Sequence, residues 1–337
     1  GYGNDLGENF DYESCGEHPS QVLNGIVGAD LDPHPGAFEA KKVQAPVGFA
    51  FETPAKLTIW NKHHTLTLDH LTLEWEVLEN GHPIRTGRRE IPAARPGDKV
   101  RVELLLQLPA EGKPGAEYFL TVRAVLSRDF PWAAAGHHVA WEQFPLPVRS
   151  PVAPLRPFRP AQTSALEVTG KGWRLEWSTS DGLLSSWQVA GVEWLAEPMR
   201  EIFYRAPTDN DWLIGYAHSY HKEWEANGLT RLDRRLCELS ASDGVVRVVS
   251  ELRGTDPTQP IRCCLETRVD ADGSLAIEQQ VVIPAAFPLV PRIGLMLTLA
   301  PGFEDLAWYG RGPWENYVDR KTGALIGRWQ RKVSEML

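Results

Sequence analysis

No uninterrupted run of about 18 apolar residues occurs anywhere in the 337 residues, so no segment reads as a membrane-spanning helix. Positive charge is in deficit as well. Lys and Arg total 35 against 44 Asp and Glu, a formal net charge of −9. Such a chain has no general pull on phosphate backbones or anionic lipid, which argues against nucleic-acid and membrane partners. The densest basic cluster, Arg85, Arg88 and Arg89, is too small to form a stripe. Cysteine is scarce: Cys15, Cys237, Cys263 and Cys264 fit no zinc-knuckle or CxxC spacing. They are expected to be buried free thiols in a reducing compartment. Cys263 and Cys264 are neighbours in a strand-like stretch and should point to opposite faces. There is no GxSxG elbow, Walker loop or GxGxxG turn. In Gly310-Arg311-Gly312-Pro313 the proline removes an N–H that a phosphate cradle would use. The pairs His63-His64 and His137-His138 point opposite ways on a strand, so neither is a chelate.

Tryptophan, proline and glycine are plentiful, at 13, 26 and 29 residues. Aromatics fit pleated surfaces while Gly and Pro punctuate strands, so the chain reads as mainly β. Residues 1–43 carry turn chemistry and little periodicity, and are expected to be loop. From about Val47 the texture alternates. Lys56–Trp60, Leu71–Val77, Val100–Leu104 and Tyr118–Val125 read as strands, with no convincing helix among them. Asn80-Gly81 marks a hairpin, because both residues tolerate positive φ. These features suit a sandwich of about 100 residues. Prolines 145, 147, 151, 154, 157 and 160 mark an extended connector. Beyond it, Leu166–Val168, Trp173–Trp177, Val245–Leu252, Arg262–Val269 and Leu275–Ile283 read as strands of a larger antiparallel sandwich. A short helix is expected near Lys222–Ala226.

Chemistry is sparse. Asp209 and Asp211 flank Asn210, and as carboxylates two residues apart they read as a rigid acidic turn or as catalytic groups. Glu315 reads as a buried acceptor for backbone donors or a nearby Arg. Trp308, Tyr309, Trp314 and Tyr317 are dense enough to stack on sugar rings, but a sandwich core uses the same residues. No self-contained active site emerges from the residues themselves.

Two segments carry a resemblance. Trp308-Tyr309-Gly310-Arg311-Gly312-Pro313-Trp314-Glu315-Asn316-Tyr317-Val318-Asp319-Arg320 resembles the G-x-GP-x-ENY-x-DR signature of glycoside hydrolase family 2 β-galactosidases. Arg205-Ala206-Pro207-Thr208-Asp209-Asn210-Asp211 resembles the RAP-x-DND segment of the same C-terminal sandwich. Tyr2–Gly7, Asn24–Val27, Asp32–Pro35, Ala135–His137 and Pro291–Gly294 are similar to the family in collinear order.

The resemblance implies a layout. Residues 1–43 would be the tail of a (β/α)₈ catalytic barrel, 44–147 an immunoglobulin-like β-sandwich, 148–160 a linker and 161–337 most of a large antiparallel β-sandwich. The chain starts Gly1-Tyr2 without Met and stops at Leu337, so both ends are expected to be cuts. The parent would hydrolyse terminal β-galactosides with retention, with its catalytic glutamates and magnesium ligands earlier in the barrel. No catalytic residue is then expected here, and the fragment alone should be inactive. Asn24, with the carbonyl of Gln21, would supply a partial Na⁺ site, although Asn24-Gly25 is equally a simple turn. Asp209, Asn210 and Asp211 would open a loop over the substrate, with Gly215 as its hinge. A cytoplasmic homo-oligomer is the implied setting. A non-catalytic carbohydrate-binding or adhesive sandwich protein is the alternative.

Overall fold

The computed structural model describes residues 25–28, 30–52, 54–151, 157–208, 211 and 219–336. The chain divides into two compact units, which among the described residues comprise 25–151 with 304–336, and 157–303. Among the described residues no helix is long and apolar enough to cross a membrane.

The loop expected up to Val43 is helical in part. Pro35–Val43 form α1, with proline in the first turn and Lys41 and Lys42 in the last. Proline there costs no backbone hydrogen bond and presets φ, and the lysines oppose the negative end of the helix dipole.

The first unit holds the expected sandwich. β1 (Val47–Glu52), β2 (Lys56–Asn61) and β5 (Lys99–Glu103) form one antiparallel sheet. β3 (Leu71–Glu79), β4 (His82–Glu90), β6 (Tyr118–Leu126) and β7 (His138–Pro145) form the other, in the order β4-β3-β6-β7. Leu57, Ile59 and Val102 from the first sheet share one core with Leu73, Val77, Leu120, Val122 and Ala140 from the second. Asn80 (φ 48°) and Gly81 (φ 78°) turn β3 into β4, as expected for an Asn-Gly hairpin. Ser150 Oγ donates to Ala116 O, tying the start of the proline-rich stretch to this unit.

The second unit is also two sheets. β8 (Gln162–Ser164), β9 (Glu167–Gly170), β10 (Trp173–Trp177), β11 (Leu184–Val189), β13 (Leu195–Ile202) and β18 (Gly294–Leu299) run in the order β18-β13-β11-β10-β9-β8, and β12 (Val192–Glu193) pairs with β11. β14 (Asp233–Ser242), β15 (Val245–Arg253), β16 (Ile261–Val269) and β17 (Leu275–Val282) form the second sheet in chain order. Val168, Leu175, Trp177 and Met199 meet Val246, Val248, Leu265 and Val269 between them. The expected short helix is present as α2 (Tyr220–Ala226), capped by the Ser219 hydroxyl. Its Trp224 packs with Phe203, Leu252, Ile261 and Phe287 in a separate small core.

The last hairpin, β19 (Asp305–Gly312) with β20 (Leu325–Lys332), packs with the first unit, although chain order carries it after the second. Side chains explain the attachment. Gln143 on β7 donates to Ile326 O at 2.8 Å and accepts from Ile326 N at 2.9 Å. Trp141 Nε1 donates to Gly323 O at 3.0 Å. The Glu39 carboxylate on α1 accepts the Thr322 and Gly323 N–H groups at 3.0 and 2.6 Å.

Cysteine burial differs from expectation. Cys263 is buried, but Cys237 is exposed and Cys264 partly so. Adjacent positions on β16 alternate faces, which puts Cys263 inside and Cys264 out. Burial pushes the Cys263 thiol up to about 12, so it is inert. Cys15 lies outside the described residues.

Candidate functional site

The segment Arg205–Asp211 follows β13 and leads toward α2. Arg205 Nη1 and Nη2 donate to the two carboxylate oxygens of Asp211 at 2.6 and 3.2 Å, a fork-on-fork pair. Thr208 adds its N–H at 2.7 Å and its hydroxyl at 2.9 Å. The Asp211 carbonyl accepts from Ser219 Oγ at 3.2 Å, and that hydroxyl also caps α2. The Arg205 guanidinium lies 5.4 Å from the Trp224 ring centroid. Burial alone would push the Asp211 pKa up. The bonds from Arg205 and Thr208, with the guanidinium charge, outweigh burial and hold it below its ordinary value.

A carboxylate so saturated and so strongly held ionised is a poor proton donor. Asp211 therefore fits a rigid acidic turn. Of its expected companions, Asp209, Asn210 and Gly215 lie outside the described residues. So do the expected sodium ligands Asn24 and Gln21. Among the described residues no group of three or more His, Cys, Asp or Glu is arranged to hold a metal ion.

The second signature segment spans the end of β19 and the turn after it. Its polar groups brace the hairpin. Arg311 Nη1 donates to Lys321 O and Ala324 O at 3.0 and 2.9 Å. Trp308 Nε1 donates to Arg311 O, and Trp329 Nε1 to Gly310 O, each at 3.0 Å. Tyr309 Oη donates to Glu117 at 2.9 Å, and burial followed by that bond pushes its pKa up to about 12.

Two expectations fail here. Glu315 does pair with Arg320, at 2.6 Å, but the pair is exposed rather than buried. The signature aromatics are not core residues. Tyr309 and Tyr317 are exposed, and Trp308 and Trp314 are only half-buried. The hairpin attaches through its edges and turn, so its rings lie over the surface of the unit. Trp314 stacks on Phe38 of α1, with centroids 4.1 Å apart.

Sequence reasoning missed Glu201. Its carboxylate, 1% exposed, accepts Arg234 Nε at 3.0 Å, Arg234 Nη2 at 3.2 Å and Ser250 Oγ at 2.8 Å. Arg234 also donates to Asp181 O. The cluster joins β13 of one sheet to β14 and β15 of the other. No local pattern marks it, since Glu201 lies 33 residues from Arg234 and 49 from Ser250. Arg205 and Thr208, by contrast, are visible as the polar members of the segment that ends in Asp211.

Residues 169–337 match the family model described as beta galactosidase small chain, and residues 57–147 match that for beta-galactosidase, domain 4. The β-galactosidase of Aeromonas hydrophila subsp. hydrophila is 33% identical over 98% of this chain. That of Priestia megaterium is 31% identical over 100%, and that of Vibrio cholerae serotype O1 is 32% identical over 100%. The chain spans about a third of the length of these relatives, at 33%, 32% and 33%. Carrying both domain 4 and the small-chain region, the chain belongs to the β-galactosidase family.

Proposed function

We propose that this chain is the supporting part of a β-galactosidase that hydrolyses terminal non-reducing β-D-galactose residues with retention. The observation that carries the reading is the match to β-galactosidases along essentially the whole chain, over only a third of their length. Retention needs two carboxyl groups about 5–5.5 Å apart, one acid and one nucleophile. Neither is assigned to this chain: the acid in the RAP-x-DND segment that the structure describes, Asp211, is fully engaged by Arg205 and Thr208. The work left to this part is to brace the barrel and to anchor, at Asp211, the loop of Asp209, Asn210 and Gly215 beside the galactoside. Mg²⁺ belongs to the barrel in this reading. Na⁺ would take hard oxygen ligands from the Asn24 side chain and the Gln21 carbonyl. The parent is proposed to be a homo-oligomer.

A chromogenic β-galactoside assay tests the proposal. This chain alone should give no turnover above background, whereas the same chain preceded by its barrel should hydrolyse the substrate and release β-galactose first. Robust turnover by this chain alone, abolished by Asp211→Asn, would overturn it.

A further inference from the structure

In the first unit, Phe38, Trp141, Pro313, Trp314, Leu325 and Trp329 line an open groove of about 330 Å³. That volume suits a molecule of one or two rings. The polar side chains lining it are Lys41, Arg123 and His138, all basic, and among the described residues no carboxylate lines it. Charge accounting singles out Lys41. Its neighbour Lys42 is paired with Glu142 at 2.7 Å, and Arg123 with Glu76 at 2.6 Å. Among the described residues, Lys41 Nζ meets only the His137 Nε2 atom at 3.0 Å and the Trp141 ring at 5.9 Å. Burial lowers its pKa. An ammonium drawn out of water among rings, without a counter-charge, is a cost that a bound anion would remove.

The rings narrow the chemistry further. The indole N–H groups of Trp141 and Trp329 are already given to Gly323 O and Gly310 O, so these side chains offer apolar ring surface and no donor. Neutral sugars need acceptors for their hydroxyl protons, which Asp, Glu, Asn and Gln supply. None of these is among the described residues that line the groove, where the His138 ring is the one side-chain acceptor. Ring surface plus unmatched positive charge fits a flat apolar body carrying one anionic group.

We propose that this groove binds a small aromatic carboxylate, with its ring against Trp141, Trp314 and Leu325 and its carboxylate at Lys41 and His138. The groove is built from α1, the first sandwich and the last hairpin, and Asp211 is not among the described residues that line it.

Titration calorimetry of the whole chain with 2-naphthoate tests the proposal, using 2-naphthamide as the uncharged isostere. The expected result is saturable one-site binding of naphthoate, with the amide at least about tenfold weaker. Lys41→Gln should weaken naphthoate about tenfold and leave the amide unchanged, separating charge from folding. Trp314→Ala should weaken both. Lys332→Gln, a surface change outside the groove, should alter neither. The proposal is overturned if naphthoate does not saturate, if amide and acid bind equally, or if Lys41→Gln binds naphthoate as well as the parent chain. Tighter binding of galactose than of naphthoate would also overturn it, in favour of a saccharide groove.

Discussion

Glu201 sits where the two sheets of the second unit face each other, and its partners Arg234 and Ser250 are fixed on two strands of the opposite sheet. Removing one member of a buried ion pair strands the other charge, which costs roughly 3–5 kcal/mol. Glu201→Ala should therefore lower the stability of the second unit by about that amount in urea unfolding, whereas Ser250→Ala should cost only about 1–2 kcal/mol. Equal effects from the two would show that Arg234 finds another counter-charge. Glu39 presents a different case. Burial alone would raise its pKa, but the N–H groups of Gly323 and Thr322, with Lys42 nearby, outweigh burial and leave it below the ordinary 4.5. A carboxylate depressed in the folded state contributes stability that is complete above its unfolded value and is lost as pH falls through the folded one. The unfolding midpoint of the parent chain should thus fall more steeply below about pH 4.5 than that of Glu39→Gln, whose curve is flatter because that group no longer titrates. Asp211 adds a loss of the same sign at lower pH, since its ordinary value is 3.8. Of these groups only Asp211 was legible beforehand. Its role depends on neighbours within six residues, whereas Glu39 and Glu201 depend on partners that only the folded chain brings together.

At the scale of strands, some of the tryptophans and glycines act as pairs. Trp75 lies directly across from Gly87 in the β3–β4 register, and Trp173 across from Gly170 in β9–β10. A Cβ on Gly87 or Gly170 would come within 2.3 Å of the partner indole. Each ring lies over a strand position that has no side chain, covering backbone that would otherwise face water. Gly87→Ala should displace the Trp75 ring, red-shift tryptophan emission and cost about 1–3 kcal/mol, the usual range for overpacking. An unchanged spectrum would mean that the ring does not rest on that glycine. Composition alone pointed to sheets, and the strands from Lys56, Leu71, Tyr118, Trp173, Val245 and Leu275 fell where alternation placed them. Helix α1 was missed because none of its nine residues is fully buried and the partly covered ones include Lys41 and Lys42, leaving no clear apolar period to detect. Its signals were local: Pro35 at the start and two lysines at the end. The surface position of the signature aromatics was also illegible, because a tryptophan that caps a glycine and one that fills a core look alike in a sequence.

For the whole molecule, the second unit interrupts the first in the chain among the described residues. The first unit needs residues from both before and after the 157–303 insert. Cutting the chain after Phe303 should leave β1–β7 with Trp141 Nε1, Gln143 and the Glu39 carboxylate stripped of the partners that the hairpin supplies. Such a truncation should lower the melting temperature of the first sandwich while the buried core around Leu57 and Leu120 still folds. An unshifted transition would show that the hairpin contributes nothing to it. The last hairpin also sets a timetable. During synthesis, β1–β7 leave the ribosome about 180 residues before β20, and at roughly 5–20 residues per second that is an interval on the order of ten to forty seconds. Through that time β7 presents a bare Trp141 and a Gln143 amide without its Ile326 partners. A nascent chain of this kind has a built-in window in which a chaperone, or a second copy emerging on the same message, meets a surface that the finished protein never shows.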